Sequence, residues 1–313
     1  MILCCGEALI DFVPLEGVLG YQPCPGGSIF NIAVGLGRLG TPVGFFSSLS
    51  TDFFGDQLAN YLVENGVSTD FTLRASGPTT LAFVSLPDGR HTEPRYVFYA
   101  NDAVDRSLKL ADLPAELPKQ VQALHFGSIS LVLEPGASTL EALMRRESGQ
   151  RVLSLDPNIR PSLITDREAY RQRFEGWLRL VDIVRLSLAD LEWLYPGAEP
   201  NQVIRQWLEW GPSLCLLTLG GEGASGLTVE GASASVPTPK ITVADTVGAG
   251  DTFLAATLSW LHENNKIADR QALPGLSQAE LGACLAYAAK AAAINCSRPG
   301  ANPPYKHEML LDL

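Results

Sequence analysis
The nine residues Asp245-Thr246-Val247-Gly248-Ala249-Gly250-Asp251-Thr252-Phe253 combine types that suit one kind of chemistry. Gly248 and Gly250 bracket Ala249, so three successive peptides can bend tightly, and the apolar run from Leu254 to Leu261 that follows reads as a helix. A glycine turn opening a helix points backbone N–H groups outward at the positive end of the helix dipole, which makes an anion site. Asp251 stands immediately after those donors. A carboxylate beside an anion hole is what transfer of a phosphoryl group to an alcohol requires. The hole stabilises charge on the moving group while the carboxylate takes the hydroxyl proton. The same residues also fit an ordinary helix start, since an acid in a first turn favours the dipole in any case.

A second stretch, far upstream, weighs toward chemistry. Gly26-Gly27-Ser28-Ile29-Phe30-Asn31 leads into a run whose apolar residues Ile29, Ile32, Ala33, Leu36 and Leu39 recur at helical spacing and stop at Gly40. Ser28 is placed to cap that helix, and Asn31 falls one turn in. Small residues let a ligand approach the backbone, and Asn offers a hydroxyl both a donor and an acceptor. Asp11 sits among apolar residues in Ala8-Leu9-Ile10-Asp11-Phe12-Val13, where it must be paired or face a polar ligand. Arg160, closing Asp156-Pro157-Asn158-Ile159-Arg160, could steady phosphate charge or make a surface ion pair.

The elements that must position these residues alternate along the chain. Strands read at 2–5, 42–49, 123–126, 152–155, 183–186 and 214–219, and helices at 53–64, 137–146, 168–179, near 188–210 and about 277–296. This order implies an α/β fold, a mostly parallel sheet with helices on both faces, with ligands collecting at the carboxyl ends of its strands. Thr79 to Leu86, a turn at Pro87-Asp88-Gly89-Arg90 and Arg95 to Tyr99 interrupt the order as a hairpin. With residues 11–24, the segment 79–100 reads as a small β appendage able to close over a site. Residues 1–313 otherwise read as a single domain with no repeat or low-complexity linker.

Composition excludes several classes. With 46% hydrophobic and 18% charged residues, the 313-residue chain suits a soluble globular protein with a substantial core. The net charge of -11 argues against a nucleic-acid or anionic-membrane surface, though not against a nucleotide bound at a helix end. Six cysteines, Cys4, Cys5, Cys24, Cys215, Cys284 and Cys296, show no metal spacing. Met1-Ile2-Leu3 runs straight into a strand, so reduced thiols and a cytoplasmic location are expected. No uncharged apolar stretch is long enough to span a bilayer. The dinucleotide-binding pattern occurs twice, at Gly35–Gly40, where its glycines close a helix, and at Gly221–Gly226, where a strand follows. Neither has the strand–turn–helix context that pattern needs, and no Walker-A lysine motif is present.

Taken together, Gly26–Gly40 and Asp245–Phe253 resemble the two signatures of the ribokinase (phosphofructokinase-B) family of sugar kinases, in order over nearly the whole chain. Within it, Gly6-Glu7-Ala8-Leu9-Ile10-Asp11, Phe98-Tyr99, Asp156–Arg160 and Arg298-Pro299-Gly300-Ala301-Asn302-Pro303 resemble bacterial fructokinases. The resemblance implies a ribokinase-like fold with a β-sheet lid, and ATP-dependent phosphorylation of a sugar, fructose on its 6-hydroxyl being the implied reaction. It implies that Asp11, Gly26, Gly27 and Asn31 hold sugar hydroxyls, that Phe98 covers the ring, and that Gly248, Ala249 and Gly250 form the anion hole. Asp251 would be the base, with Arg160 beside it. Ser187, Thr218, Gly220, Gly223 and Asn295 would line the nucleotide pocket. It further implies Mg²⁺ with ATP, Asp190 helping to organise a metal-bound water, K⁺ on the carbonyls of Asp245 and Val247, and a homodimer through the lid.

Three departures stand out. Ala100 follows Phe98-Tyr99 where many fructokinases carry Arg, Asp190 replaces the usual Glu, and Pro304 falls where ribokinase itself offers a serine to the cation. Relatives with the same machinery act on ribose, 2-keto-3-deoxygluconate or ribosides, and the sugar shell does not separate them. A non-catalytic binding protein could keep the same fold, but the base and both glycines of the hole are present. A nicotinamide oxidoreductase would rest only on the misplaced glycine patterns.

Overall fold
Strand β1 (Ile2–Cys5) is buried on both faces, with Ile2 and Cys4 in one core and Leu3 and Cys5 in the other. Side chains alternate along a strand, so a continuous apolar run of this kind belongs at the centre of a sheet covered on both sides. The computed structural model describes residues 1–15, 17, 19–85 and 95–311, the side chain of Arg95 excepted. After β1 come β2 (Leu9–Pro14), β3 (Tyr21–Gly26), α1 (Ser28–Arg38), β4 (Val43–Phe46), β5 (Ser48–Ser50), α2 (Phe53–Glu64), β6 (Val67–Ser68), β7 (Leu73–Ala75), β8 (Thr80–Ser85) and β9 (Arg95–Tyr99). The second half holds β10 (Ala123–Gly127), α3 (Gly136–Glu147), β11 (Val152–Asp156), α4 (Arg167–Leu178), β12 (Ile183–Ser187), α5 (Leu188–Leu194), α6 (Pro200–Trp210), β13 (Leu214–Thr218), β14 (Ala224–Thr228), β15 (Ser233–Val236), α7 (Ala249–Glu263) and α8 (Gln278–Cys296).

The main sheet has the order β15-β14-β13-β12-β11-β10-β1-β4-β6. All pairs from β13 to β6 are parallel, and β14 and β15 are added antiparallel. One core holds buried residues of α1, α2, α7 and α8, and the other those of α3, α4, α5 and α6. This is the α/β sandwich that the alternating order predicts. From β1 the chain passes first to β4 on one side and only later to β10 on the other. The crevice at the carboxyl ends of β1 and β10 is therefore a switch point, where α/β sheets bind ligands.

A second sheet, β3-β2-β8-β9, stands apart from the main one. Its pairing places Asp11 opposite both Cys24 and Ala82, and Ala82 opposite Phe98, so these four share one face. Phe12, Phe83 and Val97 share the other. The turn expected at Pro87–Arg90 lies outside the described residues. The single strand expected over 42–49 is instead two. The Ser47 carbonyl accepts the amide of Leu73 at 2.8 Å, and β5 leaves the main sheet to pair with β7.

Candidate active site
Helices α1 and α7 meet where Gly35 faces Ala255, and a Cβ on residue 35 would stand only 2.8 Å from the Ala255 methyl. That close approach brings the first turns of the two helices together at the carboxyl edge of the sheet. Each helix starts from a left-handed glycine, Gly27 with φ 105° and Gly248 with φ 73°, a conformation that costs glycine least. Gly27 is thus the cap of α1, and Ser28, expected to cap it, is its first residue. The Ser28 side chain is spent elsewhere. Its hydroxyl donates to Asp251 Oδ1 at 2.7 Å, while its amide donates to Glu7 Oε1 at 3.0 Å.

Asp251 is 7% exposed and lies in the first turn of α7. Its Oδ2 accepts from Asn31 Nδ2 at 2.9 Å, and its Oδ1 accepts a second bond, from Asn158 Nδ2, at 3.3 Å. Burial pushes its pKa up, while the bonds from Asn31 and Ser28 and the charges of Arg160 and Arg185 pull it back. A base with a raised pKa is matched to accepting a proton near neutrality.

A cleft opens to solvent beside Asp251. Of the expected residues, Asp11, Gly27, Asn31, Phe98, Arg160, Val247, Gly248 and Asp251 line it, and Glu7, Leu9, Ser28, Tyr96, Ser128 and Ile129 complete the wall. Gly26 lies just outside, and the Asp11 carboxylate occupies the space its Cβ would need. Burial pushes the Asp11 carboxyl up to about 7, against the nearby charge of Arg160. Arg160 donates to Asn158 Oδ1 at 2.6 Å and packs over the Tyr96 ring at 5.5 Å, tying the main sheet to the small one. Tyr96 in turn stacks on Phe98, with ring centroids 5.7 Å apart.

Behind the glycine turn sits Arg185 on β12, 5% exposed. Its guanidinium bonds Asp156 Oδ2 at 2.7 Å and Thr218 Oγ1 at 2.5 Å and stands against Gly250. Burial raises the Asp156 carboxyl to about 6, with Arg185 opposing the rise. Thr218, expected at the nucleotide pocket, is thereby linked to the glycine turn. Ser187, Gly220 and Gly223 follow on the same sheet edge, outside the cleft lining. The Ser187 hydroxyl caps α5 reciprocally with Asp190. Asp190 Oδ2 takes the Ser187 amide and hydroxyl, and Oδ1 takes the Ile159 amide at 2.9 Å.

Asn295 is fully buried, behind the turn rather than on the cleft wall. Its Nδ2 donates to the Val247 carbonyl at 2.8 Å and its Oδ1 accepts the Asn302 amide at 2.7 Å. The Asp245 carboxylate accepts the amides of Val247 at 3.0 Å and Gly300 at 2.9 Å, holding two loops side by side.

Sequence reasoning does not single out Asn158 or Arg185, nor Ser28 beyond a helix cap, although Ser28 and Asn158 bond Asp251 and Arg185 stands against Gly250. Asn158 carried a signal in retrospect, because it lies in a stretch already singled out and at the end of a parallel strand. Arg185 carried a fainter one, as a lone charge inside the apolar run Ile183-Val184-Arg185-Leu186.

The sequence model of one family, pfkB family carbohydrate kinase, matches residues 1–308. A fructokinase of Rhizobium leguminosarum bv. trifolii is 43% identical over 274 residues, 87% of this chain and 82% of its own length. Fructokinase-1 of Oryza sativa subsp. japonica is 34% identical over 99% of this chain and 95% of its own. Among solved structures, the fructokinase of Xylella fastidiosa with bound ATP superimposes with a TM-score of 0.89 at 32% identity, covering 99% of this chain and 96% of that one.

Proposed function
We infer that this chain, which belongs to the pfkB family of carbohydrate kinases, transfers the γ-phosphoryl group of ATP to the 6-hydroxyl of D-fructose. The observation that carries the reading is the placement of Asp251 at the meeting of two helix starts, between the glycine turn and the polar cleft. The similarity to proteins named fructokinase, one solved with ATP, supports both substrates. Asp11, Gly26, Gly27 and Asn31 bind the sugar hydroxyls and Phe98 covers the ring, the small sheet acting as the lid of a single domain. The amides of Gly248, Ala249 and Gly250 hold charge on the moving phosphoryl group. Asp251 takes the hydroxyl proton, and positioning with electrostatics supplies most of the acceleration. Arg160 steadies charge at the mouth. Ser187, Thr218, Gly220 and Gly223 form the nucleotide side, and Asn295 serves it indirectly by fixing Val247.

Mg²⁺ enters with the phosphates of ATP and is counted with that substrate. Asp190 already accepts three protein donors, which leaves one of its lone pairs for a metal-bound water. K⁺ suits the loop at Asp245 and Val247, where neutral carbonyls precede the anion turn. When bound there it would hold that turn in shape.

The outer face of the small sheet exposes Tyr21, Val97 and Tyr99 by 48%, 58% and 62%, around Phe12 and Phe83 stacked at 4.7 Å. A second copy of the chain covering this face gives the homodimer. Net acidity and six free cysteines fit a cytoplasmic enzyme that binds neither nucleic acid nor membrane, and among the described residues no helix is long and apolar enough to cross a bilayer.

The test is ADP release from ATP and Mg²⁺ across a panel of D-fructose, D-ribose, 2-keto-3-deoxygluconate and a riboside. Fructose should give the highest kcat/KM. A higher value for another sugar would reassign the acceptor, and no turnover with any of them would return the chain to a binding role.

A further inference from the structure
We propose that Ser28 and Asn158 are positioning residues that occupy Asp251 Oδ1 and leave Oδ2 as the atom that takes the sugar proton. This rests on the reading of Asp251 as the base. Each carboxylate oxygen offers two lone pairs. Oδ1 receives Ser28 Oγ at 2.7 Å and Asn158 Nδ2 at 3.3 Å, so both of its acceptor positions are used. Among the described residues Oδ2 receives Asn31 Nδ2 alone, at 2.9 Å, and keeps one position open.

The holder is itself held. Asn158 Nδ2 donates to Ser28 Oγ at 2.8 Å, while Asn158 Oδ1 accepts from Arg160 at 2.6 Å. Arg can only donate and an ionised carboxylate can only accept, so this orientation of the Asn158 amide satisfies both neighbours. The Asn158 backbone has φ 35°, in the left-handed region, and its amide donates to Asp156 Oδ1 at 3.0 Å. Asn tolerates that conformation better than most residues. Ser28, 6% exposed, is fixed through its own amide by Glu7. Two elements therefore grip one oxygen of the base, and Asn31 bonds the other.

In the reaction the sugar O–H bond breaks as its oxygen bonds Pγ, and the proton passes to Asp251 Oδ2. The bond from Pγ to the bridging oxygen breaks, and ADP leaves with that electron pair. The proton is returned to water once the site opens. Ser28 donates to the charged carboxylate and so favours its ionised form. The other charged and titratable groups around Asp251 are Glu7 after β1, Asp11 on β2, Tyr96 on β9, Asp156 at the end of β11, Arg160 after it, and Arg185 on β12. A Ser28 substitution leaves all of them in place.

The experiment is the pH profile of kcat for Ser28→Ala, Ser28→Thr and the wild type, with saturating ATP and fructose. In Ser28→Ala the acid limb should move to higher pH by about one unit, the worth of one hydrogen bond to a charged group, with fructose KM changed by less than about twofold. Ser28→Thr should restore the limb. Asn158→Gly, which suits the left-handed backbone, should move it the same way by less, and this second variant decides the matter if Ser28→Ala folds poorly. Limbs that superimpose on the wild type in both variants would overturn the proposal. So would a raised fructose KM with an unmoved limb, which would make Ser28 a sugar ligand. Asp251→Asn run alongside separates the two levels: turnover near normal there sinks the base assignment itself, whereas an inactive Asp251→Asn with an unmoved Ser28→Ala limb sinks only the positioning.

Discussion

The guanidinium of Arg185 fills the space that a side chain on residue 250 would need, with Nη2 2.7 Å and Nη1 2.8 Å from an ideal Cβ on Gly250. Arg185 cannot retreat easily, because Asp156 and Thr218 hold the same two nitrogens and the group is buried. Gly250→Ala should therefore push the anion turn out of place. Loss of one properly aimed oxyanion donor costs roughly 10²–10³ in kcat, and a fall of that size is expected with folding retained by circular dichroism. Full activity in this variant would mean the turn does not need Arg185 at its back.

The pairing of Arg185 with Gly250 also marks what was legible in the sequence. The parallel sheet, the helices on both faces and the small β unit followed from period and alternation, and the edges of α2 and β9 fall where expected. Asp251, Asn31 and the glycines were legible because turn, helix start and chemistry coincide within a few residues. Ser28 was legible only as a helix cap. Its bond to Asp251 spans 223 positions of sequence, and no local pattern encodes it. The place of Asn295 at the nucleotide is implied by resemblance alone, and its bond to the Val247 carbonyl joins residues 48 positions apart, which no local pattern encodes. The split of β4 from β5 was invisible because it depends on a partner strand, β7, too short to announce itself.

Fructose affinity should depend on pH through Asp11. Burial raises its carboxyl from the ordinary 3.8 to about 7. If the ionised form binds hydroxyls, fructose KM should fall as pH rises from 6 to 8 and then level off, with ATP KM steady. Asp11→Asn should give a higher and flatter fructose KM over that range. The sign for stability is opposite: a raised folded pKa contributes stability fully present below 3.8 and lost as pH rises through about 7. An affinity that worsened with rising pH would contradict the role.

His125 should govern acid stability. It is fully buried on β10, bonded only through Nδ1 to Ser154 Oγ at 3.2 Å, and its Nε2 has no partner among the described residues. Burial pushes its pKa from 6.5 down to about 3. The unfolded chain then binds the extra proton between those values, so stability present above pH 6.5 is lost as pH falls toward 3. From pH 7 to pH 5 that amounts to about 2 kcal/mol. Urea midpoints should show the wild type losing that much more than His125→Leu over the interval, and equal losses would contradict the assignment.

Potassium should raise kcat by ordering the loop before the anion turn. Asp245 already binds the amides of Val247 and Gly300, and Asn295 holds the Val247 carbonyl. Replacing K⁺ by Na⁺ or a bulky organic cation at fixed ionic strength should lower kcat with little change in fructose KM. Because Pro304 offers no hydroxyl to the cation, activation should be modest. Equal rates with all three cations would remove the cation from the account.

The most direct measurement is a single turnover of Asp251→Asn under saturating fructose and Mg–ATP, quenched rapidly so that product release cannot mask the chemical step. Asn keeps the size of Asp and one acceptor oxygen, enough for the bond from Ser28, but it cannot take the proton. The phosphoryl-transfer rate should fall by at least ~10²-fold, the lower end for removal of a general base, with fructose and ATP affinities largely kept. Transfer at a rate near that of the wild type would contradict Asp251 as the base.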